Sequence, residues 1–282
     1  MSRSSCLRGG RLHLGPCHAL AALALVVVAG CVSTRPTPPT GASALAASQA
    51  RAVRVAAARQ RDGGAVDRME RHAGVRSPAP LLLLAFKQER RLELWGWARA
   101  RSRYVLVATY PILATSGVLG PKRREGDHQV PEGFYHVATL NPASLYHLSL
   151  ELDYPNRSDR ILGDPHAPGS EIFIHGDAVS DGCIPIGDHA IEQVYLAVLD
   201  SRVAGYDVSV GIFPCRFSSA ACRALLSERS AGRPALAAFW ANLAEGYEAF
   251  TQTGLPPRVS VEASGRYAFE PGRAATLASQ RY

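Results

Sequence analysis

The sequence predicts a mainly β domain of the α+β class, and three observations carry that prediction. At 282 residues and 47% hydrophobic composition, the chain suits one catalytic-sized domain with extensions better than several independent domains. From about residue 79 onward, short runs of β character recur, several of them alternating polar and apolar side chains. Only two stretches in that part show a strong helical period.

The elements follow in chain order. Arg3, Arg8 and Arg11 precede Ala19–Gly30, an apolar run of 12 residues. A bilayer-spanning helix needs roughly 20, so residues 1–30 read as a signal peptide. The run ends in Val28-Ala29-Gly30-Cys31, which is similar to the lipobox of bacterial lipoproteins. That likeness implies lipidation of Cys31 and anchoring to a membrane facing the periplasm. Val32, where an aspartate would signal inner-membrane retention, points to the outer membrane; an ordinary secretory signal with a chance cysteine is the alternative. Residues 31–78 read as a Pro-, Ala- and Arg-rich tether. Within it, 51–74 favours a helix that Gly63-Gly64 interrupts.

Strands are expected at Leu81–Phe86, Arg91–Trp97, Tyr104–Tyr110, Gly133–Ala138, Tyr146–Tyr154, Glu171–His175 and Tyr206–Phe213, which gives a domain over 79–216. Asp188 is a good N-cap for a helix through Leu199. The extension over 217–282 is partly helical, with Leu236, Phe239, Trp240, Leu243 and Tyr247 at helical spacing after Pro234. Arg258–Glu262 and Arg266–Glu270 suggest a terminal hairpin.

The formal charge of +7 falls to +4 once Arg3, Arg8 and Arg11 are set aside. So mild a balance, with no basic cluster interleaved with aromatics, argues against a nucleic-acid partner. The arginines at 51, 54, 59, 61, 68, 71 and 76 read as a solvated face. Of six cysteines, Cys31, Cys183, Cys215 and Cys222 survive processing. A disulfide between Cys215 and Cys222 is permitted, although both could equally be small buried side chains; pairing leaves Cys183 as the odd thiol.

Chemistry concentrates in Glu171–Asp188, EIFIHGDAVSDGCIPIGD. Ile172-Phe173-Ile174 is a buried strand that delivers His175 and Gly176 at its rim. A free thiol, with a pKa of about 8.5, needs a base to become a nucleophile, and histidine has suitable basicity. Cys183 is therefore the candidate nucleophile and His175 its base. Ser180 and Gly182 shape the loop, and the amides of Gly182 and Cys183 could form an oxyanion hole.

His175-Gly176 followed by Ser180-x-Gly182-Cys183-Ile184 resembles the HG…S-x-G-C signature of the L,D-transpeptidase (YkuD-type) family. Leu119-Gly120-Pro121-Lys122, Glu125-Gly126-Asp127, Pro131-Glu132-Gly133-Phe134-Tyr135 and Leu152-Asp153-Tyr154-Pro155-Asn156 resemble its YafK-like, murein-processing branch. The resemblance covers about residues 80–215. It implies a β-sandwich or barrel catalytic domain with a few helices, no cofactor, and peptidoglycan stem peptides as partners. Cys183 would form a thioester with the diaminopimelate carbonyl and release D-alanine. Many members carry Arg two residues after the cysteine, where this chain has Pro185, and the residue between Ser and Gly is Asp181. Hydrolysis, including release of a wall-anchored lipoprotein, is thus an alternative to cross-linking, and a non-catalytic wall-binding lipoprotein is a third.

A zinc site from His175, Cys183 and His189 has ligand types but lacks a fourth residue at familiar spacing. His189 is expected at the surface, and Lys122 and Arg123 on a soluble loop. His128, His136, His147 and His166 read as loop or strand residues, and Tyr135 and Tyr154 as packing at least as readily as cleft lining.

Overall fold

A computed structural model describes residues 41–273, with side chains from residue 51 onward. The signal peptide, lipidation at Cys31 and the last residues of the extension lie outside the described residues. Leu81–Phe86 forms strand β1, and burial of all six side chains means it is covered on both faces. It is followed by β2 (Arg91–Ala98), β3 (Arg103–Pro111), β4 (Gly133–Asn141), β5 (Ser149–Leu152), β6 (Phe173–His175), β7 (Ile184–Pro185) and β8 (Ser209–Phe213). These form one eight-stranded sheet in the order β3-β2-β1-β8-β4-β5-β6-β7. The β1–β8 and β6–β7 pairs are parallel and the others antiparallel.

Alternation along β1 divides the core. Leu81 and Leu83 face one cluster with Ile174, Ile184, Ile191 and Val194. Leu82, Leu84 and Phe86 face the other, with Phe213, Leu243 and Tyr247. The first face is covered by α3 (Asp188–Val203) and by α1 (Gly41–Ala73). α1 corrects the interrupted helix expected within the tether, because it runs unbroken through Gly63-Gly64. Each glycine costs a helix about 1 kcal/mol. Burial of Ala58 and Val66 offsets that cost, as do ion pairs from Arg59 to Asp200 and Arg61 to Glu192. Those two arginines do not serve a free solvated face.

The second face is covered by α5 (Pro234–Thr253), which starts on proline and ends on Gly254 at φ 70°. Beside it stand α4 (Ala220–Arg229), capped by Ser219, and the hairpin of β9 (Arg258–Val261) and β10 (Tyr267–Glu270). A disulfide joins Cys215 to Cys222, tying the exit of β8 to α4. The residues after 216 thus complete the core begun by β1 and β8. Four elements escaped the sequence pattern: α4, the 3₁₀ turn Arg99–Arg101, the six-residue α2 (Arg157–Leu162) and the two-residue β7. The last two are too short to show a period.

Candidate active site

His175 ends β6, and the chain returns through residues 176–183 to lay β7 beside it, with Ile174 opposite Ile184 and His175 opposite Pro185. Parallel pairing of two strands eight residues apart forces this return into a tight loop at the sheet edge. Gly182, at φ 92°, makes the turn into Cys183. The sulfur accepts the Phe173 N–H at 3.4 Å, and its own S–H points at Glu171 O, 3.7 Å away.

The buried His175 ring donates from Nδ1 to Gly176 O at 2.5 Å. That bond selects the tautomer whose Nε2 carries a lone pair, and Nε2 makes no hydrogen bond among the described residues. Gly176 is confined from all sides, since a Cβ there would lie 2.5 Å from Asp188 Oδ1 and 2.7 Å from Tyr146 O. Its N–H donates to Tyr146 O and Leu148 O. The following amide, Asp177 N–H, donates to Asp188 Oδ1 at 2.8 Å. Asp188 is therefore not the N-cap of α3, a position held by Gly187; its side chain instead fixes the residue after Gly176, whose carbonyl accepts the imidazole Nδ1–H.

In this parallel pair His175 lies opposite Pro185, whereas Cys183 precedes β7 and its sulfur meets Phe173 and Glu171, so no hydrogen bond joins the two side chains. Burial pushes the Cys183 thiol above its ordinary range; the Phe173 N–H and Lys122 work against this, while Asp181 and Glu171 add to it. Burial also pushes the His175 imidazole below its ordinary value, outweighing Gly176 O and Asp177. Both shifts favour the uncharged forms, a thiol and a neutral imidazole.

The oxyanion expectation changes in one respect. The Gly182 N–H donates to Ser116 Oγ at 2.7 Å and is occupied, whereas the Cys183 N–H has no partner among the described residues. Ser116 Oγ also lies 3.2 Å from Ser180 Oγ, and Ser180 donates to Cys183 O at 2.8 Å. Ser116 had no motif to announce it. Tyr146, which sequence placed only at a strand start, lies on the His175 ring with centroids 4.6 Å apart.

Lys122 is buried and paired with Asp127 at 2.7 Å, so it does not serve as a solubilising group. Arg123 stands over the Phe239 ring, while Tyr135 and Tyr154 belong to the core. His189 is exposed and contacts Asp62. Among the described residues no three His, Cys, Asp or Glu side chains are grouped to hold a metal ion, so the zinc alternative is not assembled. A recess of about 160 Å³ adjoins the nucleophile loop, lined by Lys122, Glu125, His128, Glu171 and Asp181. It is too small for a whole ligand and suits one polar group. The larger cavity, about 640 Å³, lies under α5 among Leu82, Leu84, Phe134 and Tyr247, and contains neither Cys183 nor His175.

Residues 83–211 match the YkuD family, described as an L,D-transpeptidase catalytic domain. The Escherichia coli protein named "Putative L,D-transpeptidase YafK" is 36% identical over 192 residues, which cover 67% of this chain and 73% of that protein. Among solved structures, the helical cell shape determining protein Pgp2 from Campylobacter jejuni aligns at a TM-score of 0.40 and 16% identity over 70% of this chain and 80% of that one. For a mutant of Pgp2 the TM-score is 0.41 at 21% identity, covering 51% of this chain and half of that one. Mycobacterium tuberculosis L,D-transpeptidase 1 aligns at 0.27 and 12% identity over 48% of this chain and 62% of that one.

Proposed function

The chain belongs to the L,D-transpeptidase (YkuD-type) family, and from that premise we propose that it is a cysteine acyltransferase acting on peptidoglycan stem peptides. The observation that carries this reading is the His175 tautomer: Nδ1 is committed to Gly176 O, which leaves Nε2 as the basic nitrogen at the edge where Cys183 emerges. Sγ attacks the carbonyl carbon of diaminopimelate while its proton passes to Nε2. The oxyanion is received by the Cys183 N–H. Collapse expels D-alanine, whose amine takes the proton from the imidazolium, and a thioester remains. An amine acceptor then gives a cross-link. Water as acceptor gives hydrolysis, a second reading favoured by the buried Pro185, which offers no cation to an acceptor carboxylate. The leader and Cys31 support a lipid-anchored enzyme at the periplasmic face of the outer membrane.

Intact-mass measurement after incubation with disaccharide-tetrapeptide, or with a carbapenem, tests the assignment. Wild type acquires one acyl adduct, Cys183→Ala none, and His175→Gln acquires it about a thousandfold more slowly. An adduct on Cys183→Ala, or none on wild type, overturns the proposal. Cross-linked dimer in the presence of a diaminopimelate-bearing acceptor selects transfer over hydrolysis.

A further inference from the structure

The imidazole is approached from outside its own sheet by a loop that α1 controls. Arg54 Nη1 donates to Pro142 O at 3.1 Å, Ser144 O at 2.9 Å and His147 O at 2.5 Å. Three carbonyls of one short segment converge on a single guanidinium nitrogen, which holds the segment as a turn wrapped around a cation. The same turn is gripped a second time. His147 Nε2 lies 2.6 Å from Glu192 Oε1 on α3, and Arg61 of α1 pairs with that same carboxylate.

Between these two attachments the turn carries Tyr146. Its ring is tilted 32° to the His175 ring, and its carbonyl accepts the Gly176 N–H at 3.1 Å. Tyr146 thus touches both the imidazole and the residue whose carbonyl accepts the imidazole Nδ1–H. The core does not hold it there. Tyr146 is 42% exposed and its neighbour Leu145 97% exposed, so its position follows from the backbone of the turn, and the turn's carbonyls answer to Arg54.

We propose that Arg54 and Tyr146 are positioning residues for His175, with α1 fixing the 142–147 turn so that Tyr146 keeps the imidazole on Gly176 O with Nε2 free. This rests on the catalytic reading above, and a measurement independent of turnover keeps the two separable. The His175 ring protons, assigned by difference from His175→Gln, carry the ring-current shift of the stacked Tyr146.

In the full chain, Tyr146→Leu abolishes that shift and Arg54→Ala reduces it, while Arg54→Lys, which keeps the cation, retains most of it. In the acylation assay Arg54→Ala lowers kcat about tenfold with KM altered less than about twofold, because misplacing a catalytic group acts on the chemical step. The double variant Arg54→Ala/Tyr146→Leu is no slower than Tyr146→Leu alone, as residues acting through one contact are non-additive. Unchanged His175 signals in Arg54→Ala, or losses that simply add, overturn the inference. Should Arg54→Ala fail to fold, Arg54→Lys and Tyr146→Leu decide it: a Tyr146→Leu protein with wild-type kcat also overturns it. Wild type inert toward tetrapeptide but with the coupled ring shifts overturns the catalytic reading and leaves the positioning intact.

Discussion

The face of the sheet beneath α5 and the edge formed by β6 and β7 are stabilised by different physics. Beneath α5, aromatic rings meet edge to face: Phe134 against Phe213, Tyr267 and Phe269 at 5.6, 5.2 and 5.2 Å, and Trp95 against Phe250 at 5.2 Å. Each such contact adds about 1 kcal/mol beyond burial, and the Cys215–Cys222 link closes the layer. At the β6–β7 edge three single bonds between side chain and backbone help hold the 176–183 loop: Gly182 N–H to Ser116 Oγ, Ser180 Oγ–H to Cys183 O, and Asp177 N–H to Asp188 Oδ1. The first arrangement resists deformation. The second rearranges more easily, which suits the proposed attack by Cys183.

If that division is real, damage to the packed face lowers stability and spares chemistry. Leu243, on the inner face of α5, is fully buried, and Leu243→Ala is expected to cost about 4 kcal/mol, measured by urea unfolding. The acylation rate per active site, titrated by carbapenem adduct, stays within about twofold of wild type. A tenfold slower rate in the folded variant would break the division by showing the two regions mechanically coupled.

A smaller effect separates the regions by pH. Asp159 packs beneath the C-terminal hairpin region, where burial pushes its carboxyl up to about 6 despite donors from Asn156 and Tyr135. A raised carboxyl contributes stability below its ordinary value of 3.8, and that contribution is lost as pH rises through about 6. His175 has the opposite sign. Its depressed pKa contributes stability above the ordinary 6.5, lost as pH falls below it. In wild type the two slopes oppose each other in weakly acidic solution. Asp159→Asn removes one of them and is expected to gain up to about 3 kcal/mol on wild type between pH 4 and pH 8. Parallel stability profiles for the two proteins would rule this account out. The same neutral His175 keeps the acid limb of the acylation rate below pH 6.5.

Sequence reached the packed face more easily than the edge because packing writes itself as period. The β1 run, the α5 stripe and the hairpin all repeat hydrophobic residues at spacings set by backbone geometry. His175, Gly176, Gly182 and Cys183 stood out as candidates because they fall in one short segment. Ser116, Tyr146 and Arg54 did not. Each acts on a neighbour distant in sequence through one hydrogen bond or one ring contact, which leaves no local pattern. The Gly63-Gly64 pair misled for a related reason, as tertiary burial of Ala58 and Val66 overrides an intrinsic helix penalty.

Ser116 offers the finest test of how the edge is held, because its bond to the Gly182 N–H has two consequences of opposite sign. As an anchor, it holds the turn into Cys183 at the φ of 92° that glycine alone adopts freely. As an occupant, it withholds a donor that the oxyanion could use. A neutral hydrogen bond contributes about 1 kcal/mol net, so the effect amounts to about fivefold either way. Anchoring should dominate, because Ser116 Oγ also meets Ser180, whose hydroxyl holds the Cys183 carbonyl; losing one bond loosens both sides of the nucleophile. Ser116→Ala is therefore expected to acylate about fivefold more slowly, with unfolding stability within about 1 kcal/mol of wild type. A faster Ser116→Ala enzyme would show instead that the resting loop is restrained at the expense of its oxyanion donors, and that the edge is held shut.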